Sequence, residues 1–316
     1  MKRSKADPVH GWLVLDKPQG LTSTKALGAA RRLLNAAKAG HAGTLDPLAT
    51  GVLPLAFGEA TKTVPFLVDA KKTYRFTVQW GGETTTDDIE GEVVRTSASR
   101  PNADAVLRAL PAFVGDILQV PPIYSALKVD GERAYDLARE GEEFELAPRP
   151  TRIDRIEVVG EDGETAVFEM TCGKGTYVRA FARDLGRALG CFGHVRALSR
   201  LAVGPFSLAS AISLEKLEES AKGGAAKRLL LPLATALDDI PALAVTDQEA
   251  TLLRQGQAIL ARGRVSFRQE AVAEGDAIPA PSVYCRSRSG DPIAITLFDK
   301  GELRPVRVFN FSNVKG

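Results

Sequence analysis

The chain has 316 residues, of which 44% are apolar and 25% charged, with a formal net charge of +2. This composition is typical of a globular protein with a sizeable core, and the length favours two domains. The sequence contains no apolar run of about eighteen residues, so we expect no membrane span. The basic start lacks the apolar stretch of a signal peptide. Three scattered cysteines argue against a disulfide framework or a zinc site, so we expect a cytoplasmic protein.

Charge is unevenly distributed along the chain. Residues 1–75 carry twelve Lys or Arg against five Asp or Glu, and residues 171–200 carry six against one. Acidic residues gather at 83–92 and 140–145. This separation indicates a basic face for a polyanion, most often a nucleic acid. Chance clustering on a solvated surface explains the same pattern equally well.

Apolar periodicity predicts the elements of the first half in chain order. A strand at 9–15 precedes a helix that Thr22 or Ser23 caps, and an irregular loop follows at 40–51. A short helix around Phe66 and a strand at 72–80 come next. The remaining predicted elements are an acidic loop at 81–91, a helix at 102–114, a proline-stiffened segment at 119–131 and a short helix at 133–140.

The second half continues with predicted strands at 152–159 and 165–172 and a helix after 172–176. In this helix Arg179, Arg183 and Arg187 recur every four residues and share one face. A strand region at 194–208 and a helical tail at 214–237 follow. A helix at 247–254 and strands near 293–298 and 305–309 predict a small, mostly β domain over 241–316. Because helices and strands mix without strict alternation, we expect an α+β fold, with domains at 1–240 and 241–316.

The most distinctive stretch is residues 40–51, Gly-His-Ala-Gly-Thr-Leu-Asp-Pro-Leu-Ala-Thr-Gly. Its glycines allow unusual backbone conformations, and Pro47 restricts Asp46 to an extended one. The loop is therefore expected to hold the Asp46 carboxylate in a fixed direction, although an Asp before Pro also fits a purely structural turn. No Gly-Lys-Ser/Thr follows as a phosphate-binding P-loop requires. Only three histidines occur in the chain, which argues against a histidine-built metal site.

Six segments resemble, in the same order, the TruB family of bacterial tRNA pseudouridine-55 synthases. They lie at 15–23, 40–51, 72–74, 119–128, 174–179 and 198–206, and they cover nearly all of residues 9–210. The resemblance implies a mixed, mostly antiparallel sheet with flanking helices. It also implies a small C-terminal β-rich domain of the PUA type, for which the motifs in 241–316 are much weaker.

The family's activity is the isomerisation of a uridine in the tRNA T-loop to pseudouridine. The N1–C1′ bond breaks, the base turns over, and C5 bonds to C1′. The resemblance implies that no cofactor and no metal are needed. It also implies that the partner is the T-stem-loop of tRNA, which an excursion at about 124–150 contacts. We expect no membrane association and no obligate protein partner, and a monomer is the default.

By resemblance, Asp46 is the catalytic carboxylate. It either acts at C1′ of the ribose or removes a proton from C2′, and the sequence leaves both routes open. Arg179 is implied as its ion-pair partner, and Tyr74 as the base that removes the C5 proton. The implied substrate-binding residues are His41, Tyr74, Tyr177, Leu198, Lys17 and Lys62. For the two lysines, a structural role is the alternative to phosphate contact.

The sequence departs from the family pattern at position 85, where Thr85 replaces the usual Asp, which puts the local loop structure in doubt. The arginine stripe of the predicted helix and the basic first third are expected to line an RNA groove, with binding that weakens steeply with salt. Two other functions stay open. One is a non-catalytic tRNA-binding folding factor. The other is a nucleoside or glycoside hydrolase, which the lack of a second carboxylate in 40–51 disfavours.

Overall fold

The computed structural model describes residues 6–125, 127–129, 131–142, 144–261, 265 and 281–311. Its helices are α1 (Ser23–Leu33), α2 (Val64–Asp69), α3 (Ala103–Ala109), α4 (Ala134–Glu140), α5 (Val178–Ala188), α6 (Leu214–Lys222) and α7 (Asp247–Arg254). Its strands are β1 (Gly11–Lys17), β2 (Ala39–His41), β3 (Thr50–Phe57), β4 (Lys72–Trp80), β5 (Gly82–Thr84), β6 (Val93–Thr96), β7 (Gly115–Gln119), β8 (Lys128–Val129), β9 (Glu132–Arg133), β10 (Arg149–Glu161), β11 (Thr165–Cys172), β12 (Gly193–Val203), β13 (Phe206–Ser207), β14 (Ala242–Ala244), β15 (Ile259–Leu260), β16 (Ser282–Arg286), β17 (Pro292–Asp299) and β18 (Glu302–Val308).

A nine-stranded sheet forms the centre of the first part of the chain. Its order is β1-β3-β12-β4-β11-β10-β7, with β2 added to β3 and β13 added to β12. All these pairings are antiparallel except the one between β3 and β12. The predicted α+β fold with a mixed, mostly antiparallel sheet is therefore confirmed.

Helix α5 covers one face of this sheet. Its side chains Phe181 and Leu185 are buried against the sheet. The Phe181 ring meets the rings of Phe76 and Phe168 edge to face, at centroid distances of 5.7 and 5.8 Å. Such aromatic pairs add about 0.5–1.5 kcal/mol to the stabilisation from burial. The packing therefore fixes α5 against β4 and β11.

A second, five-stranded sheet begins at Ala242 and has the order β14-β16-β17-β18-β15. Tyr284 and Phe309 of this part pack in one hydrophobic cluster with Trp12 and Leu237 of the first part. The predicted β-rich C-terminal part is confirmed. No helix in the described ranges is long and apolar enough to cross a membrane.

Several predicted boundaries differ from the observed ones. The helix predicted at 102–114 ends at Ala109 and continues as a 3₁₀ turn at 110–113, where Pro111 lacks a backbone N–H. The helical tail predicted at 214–237 ends at Lys222 before two glycines, and 3₁₀ turns follow. The loop predicted at 40–51 is shorter, because β2 and β3 take up its ends and leave 42–49 irregular.

Candidate active site

The loop at 42–49 is held firmly on both sides of Asp46. The Ser23 hydroxyl, at the start of α1, donates to the Leu45 carbonyl oxygen at 3.0 Å and accepts from the Leu45 N–H at 2.8 Å. After Asp46, the Pro47 carbonyl oxygen accepts from the Gly20 N–H at 2.7 Å. The direction of the Asp46 side chain is therefore set by neighbours that cannot shift freely.

Asp46 meets Arg179, which projects from the first turn of α5. The Asp46 Oδ2 lies 2.9 Å from Arg179 Nη2, and the carboxylate side chain is 38% exposed whereas the arginine is only 7% exposed. The guanidinium also donates to the carbonyl oxygens of Thr86 and Tyr124, both at 3.0 Å. A buried guanidinium thus holds an accessible carboxylate at the surface.

Asp88 is a member of this site that the sequence did not indicate. Its Oδ2 lies 3.7 Å from Arg179 Nε, and its side chain is 4% exposed. The Asp88 Oδ1 accepts from the Thr86 hydroxyl at 2.5 Å and from the Glu90 N–H at 3.0 Å. Arg179 therefore lies between two carboxylates. The only signal for this in the sequence was the acidic composition of 83–92.

Strands β5 and β6 form a hairpin, and Thr85, which stands where the family usually has Asp, helps to close it. The Thr85 N–H donates to the Glu92 carbonyl oxygen at 2.9 Å, and the Thr85 hydroxyl accepts from the Glu92 N–H at 3.2 Å. The hydroxyl thus joins the two strands of the hairpin. Thr85 in place of Asp therefore leaves the local loop structure intact.

The arginine stripe of α5, which was expected to line an RNA groove, forms ion pairs with the acidic segment 83–92. Arg183 Nη1 lies 3.0 Å from Asp87 Oδ2, and Arg187 Nη2 lies 2.6 Å from Glu83 Oε1. Burial raises the pKa of Asp87 to about 6, although the charges of Arg183 and Arg179 oppose this rise. The acidic segment 83–92 folds back onto the helix, a contact that charge separation along the sequence does not reveal.

Tyr74 and Leu198 lie on adjacent strands. Tyr74 of β4 opposes Arg200 of β12, and Leu198 opposes Phe76 two positions away, so these side chains share one face. Tyr74 is partly buried. Burial raises the pKa of its phenol, the charge of Arg200 lowers that pKa, and the charge of Asp46 raises it. The structure thus brings the phenol and the Asp46 carboxylate into one site.

Tyr177 immediately precedes α5 and is clamped through its backbone. Its N–H donates to Gln119 Oε1 at 2.8 Å, and its carbonyl oxygen accepts from Gln119 Nε2 at 3.1 Å. Burial raises the pKa of the Tyr177 phenol, and the charge of Asp46 acts in the same direction. Gln119, only 4% exposed, is a second residue to which the sequence assigned no role.

His41 lies on β2 and is partly buried. Burial lowers the pKa of its imidazole, and the charge of Arg200 lowers it further. Its Nδ1 is buried and has no hydrogen-bond partner among the described residues. The lowered pKa favours the uncharged imidazole, which lacks the charge for an ion pair with a phosphate.

The structure corrects the predicted phosphate contact of Lys17, which is buried, whereas the predicted substrate contact of Lys62 stays a prediction. Lys17 is fully buried, and its Nζ donates to the carbonyl oxygens of Pro18 and Leu21 at 2.9 and 2.7 Å. Burial lowers its pKa to about 8. Lys62 Nζ donates to the Glu59 carboxylate at 2.6 Å and to the Val308 carbonyl oxygen at 2.8 Å, which joins the 3₁₀ turn at 58–63 to β18.

Comparison with known proteins identifies close relatives. The N-terminal domain of the TruB family pseudouridylate synthases matches residues 31–178, and the tRNA pseudouridylate synthase B C-terminal domain matches residues 179–238. The tRNA pseudouridine synthase B of Nitrobacter winogradskyi is 53% identical over 99% of this chain and 86% of that protein. The corresponding protein of Caulobacter vibrioides is 54% identical over 98% of this chain and 99% of its own length. Among solved structures, one chain of a Cbf5-Nop10-Gar1 complex superposes with a TM-score of 0.73 at 25% identity, covering 95% of this chain and 84% of that one.

Proposed function

This chain belongs to the TruB family of tRNA pseudouridine synthases, and from that premise we propose that it isomerises one uridine of the tRNA T-loop with Asp46 as the catalytic carboxylate. The observation that carries the proposal is the Asp46–Arg179 ion pair, in which an accessible carboxylate faces a buried guanidinium. The guanidinium fixes the direction of the carboxylate, as is needed for a group that reacts at or next to an anomeric carbon.

The chemistry divides between two groups of the site. The Asp46 carboxylate acts on the ribose when the N1–C1′ bond breaks, either at C1′ or at the proton on C2′. Tyr74 serves as the base that removes the C5 proton after C5 has bonded to C1′. Tyr177 and Leu198 hold the flipped base between them, as enzymes that act on extruded bases require.

The proposed tRNA contact uses the basic residues of the first third rather than the paired arginines of α5. Lys25, Arg31 and Arg32 of α1 and Lys38 beyond it are exposed. The same helix begins at Ser23, which holds the catalytic loop. The excursion at 124–150 starts at Tyr124, whose carbonyl oxygen Arg179 binds, and is proposed to contact the T-stem. A monomeric, cytoplasmic enzyme with a PUA-type C-terminal domain completes the proposal.

The test uses a T-arm transcript tritiated at uridine C5 and follows the release of tritium. Asp46→Asn should lower the rate of tritium release by several powers of ten and should retain RNA binding. The variant should fold, because Arg179 keeps its contacts with Asp88, Thr86 and Tyr124. Undiminished release would remove Asp46 from the mechanism. Asp104→Asn, an exposed position on α3, is the matched control and should behave like the unsubstituted protein.

The same assay separates the other two functions. RNA binding by the unsubstituted protein without any tritium release would indicate a folding factor. Free uracil among the products would indicate a hydrolase. Glu90 would then be the candidate acid, because it reaches solvent while partial burial of its carboxylate and the charges of Asp88 and Asp46 raise its pKa.

A further inference from the structure

Arg200 is a buried cation beside the site to which the proposed chemistry assigns no role. It lies on β12, where it opposes Gly51 of β3 on one side and Tyr74 of β4 on the other. Directly opposed residues of an antiparallel pair have Cβ atoms about 4.5–5.5 Å apart on the same face. The Arg200 side chain, which is 1% exposed, therefore lies alongside the Tyr74 phenol.

The guanidinium is fixed by the backbone at both ends of the catalytic loop. Nε donates to the Val52 carbonyl oxygen at 2.8 Å, and Nη2 donates to the Gly43 carbonyl oxygen at 2.9 Å. Gly51 has a φ of +98°, and a Cβ there would lie 2.3 Å from the Arg200 carbonyl oxygen. A glycine of the loop motif is thus required by the close approach of Arg200, and the arginine cannot move away from the loop.

No carboxylate in the described ranges forms an ion pair with Arg200, in contrast to Arg179, Arg183 and Arg187. A buried charge without a counter-charge is costly, so its retention points to a group that becomes anionic nearby. Tyr74 is such a group, since it lies directly opposite Arg200 on the neighbouring strand and the charge of Arg200 lowers the pKa of its phenol.

We propose that Arg200 is the positioning residue for Tyr74: it orients the phenol toward C5 of the bound uracil and stabilises the phenolate that removes the C5 proton. The inference rests on the proposed function, in which Tyr74 is the base. The phenolate oxygen takes the proton, the electron pair of the C5–H bond forms the C5–C6 double bond, and the electron pair of the C6–N1 double bond moves onto N1. N1 then takes a proton from solvent, and the Tyr74 phenol returns its proton to solvent.

The electrostatic need for Arg200 follows from the position of Tyr74. Burial raises the pKa of this phenol, and the charge of Arg200 opposes that rise. Each unit by which the pKa exceeds the working pH leaves about tenfold less phenolate. A general base acts best when its pKa lies near that pH, so removal of the cation slows proton transfer.

The test compares Arg200→Met and Arg200→Lys in single-turnover reactions on T-arm RNA that carries either hydrogen or deuterium at uridine C5. Arg200→Met should lower the rate by at least about tenfold, because a well-placed general base contributes about a hundredfold or more and the substitution weakens that base. Its deuterium isotope effect should exceed that of the unsubstituted protein, because C5 proton removal becomes the slowest step. Arg200→Lys keeps a positive charge and should recover part of the rate. Arg196→Met, an exposed position on the same strand, is the matched control.

A lower rate with an unchanged isotope effect would overturn the proposal, since Arg200 would then act only by holding the loop. An unchanged rate would overturn it as well. If Arg200→Met does not fold, the isotope effect of Arg200→Lys decides in the same way, because a lysine cannot reach both carbonyls and the phenol at once. Failure of the proposed function is a separate result, seen when the unsubstituted protein forms no pseudouridine.

Discussion

Replacement of Gln119 by leucine tests how the site is held in place. The side chain makes two hydrogen bonds to the backbone of Tyr177, at 2.8 and 3.1 Å. Leucine has a similar volume but leaves the Tyr177 N–H and carbonyl oxygen without these partners. A lost partner costs about 1–3 kcal/mol for each buried group, and Tyr177 is only partly buried, so we expect about 2–3 kcal/mol in total. For a chain of this size the melting temperature should fall by about 5 °C.

The same substitution should affect turnover more than RNA affinity. Arg179 lies two residues beyond Tyr177, so a displaced start of α5 moves the guanidinium away from Asp46. A misplacement of about 1 Å at a catalytic group costs up to about a hundredfold in rate. Single-turnover rates and RNA titrations on Gln119→Leu measure the two effects separately.

Two further variants complete this experiment. Gln119→Glu keeps the acceptor for the Tyr177 N–H but cannot donate to the Tyr177 carbonyl oxygen. Its stability should therefore fall between those of the unsubstituted protein and Gln119→Leu. Gln79→Leu, at the end of β4, removes a hydrogen bond to the Glu164 carbonyl oxygen far from the site and should leave turnover unchanged. An unaltered melting temperature in Gln119→Leu would refute the reasoning, and a loss of affinity without a loss of turnover would place Gln119 in RNA contact.

Two other predictions concern charge. Arg32→Gln, on the exposed face of α1, should weaken RNA binding and reduce the slope of log affinity against log salt by about 0.7–0.9, whereas Arg187→Gln should leave the slope unchanged because Glu83 already neutralises this arginine; equal slopes for both variants would contradict the assignment. Burial lowers the pKa of Lys72 from 10.5 to about 8. The unfolded chain then binds more protons between these values, so this lysine makes the free energy of unfolding rise with pH there and that contribution is lost as the pH falls through 8. Lys72→Met should show a smaller rise in urea titrations between pH 8 and 10.5, and an identical rise would exclude this lysine as its source.

Elements whose boundaries depend on local chemistry were predictable from the sequence. The strand at 72–80 alternates in polarity, and β4 has those bounds. The helix at 247–254 also coincides with α7, where Thr246 and Glu249 form a capping box. The short strand β2 was not predictable, because Ala39–His41 is extended through its pairing with β3 and not through any preference of its own.

The candidate site divides along the same line. Asp46, Tyr74 and Arg179 lie in local motifs, so the sequence indicated each of them. Asp88 and Gln119 support them from a hairpin and an edge strand that are distant along the chain. Their role depends on a contact, and no local pattern encodes which distant segment supplies it.

The sequence by itself determined that a stiff loop presents the Asp46 carboxylate and that α5 carries an arginine at every fourth position from Arg179. Only the tertiary structure decided what each arginine does. The carboxylates of 83–88 neutralise Arg183 and Arg187, Arg179 is shared between Asp46 and Asp88, and Arg200 meets backbone oxygens and a phenol. The physical reason is that the interaction between charges depends on their separation in space and on burial, and the order of residues along the chain fixes neither.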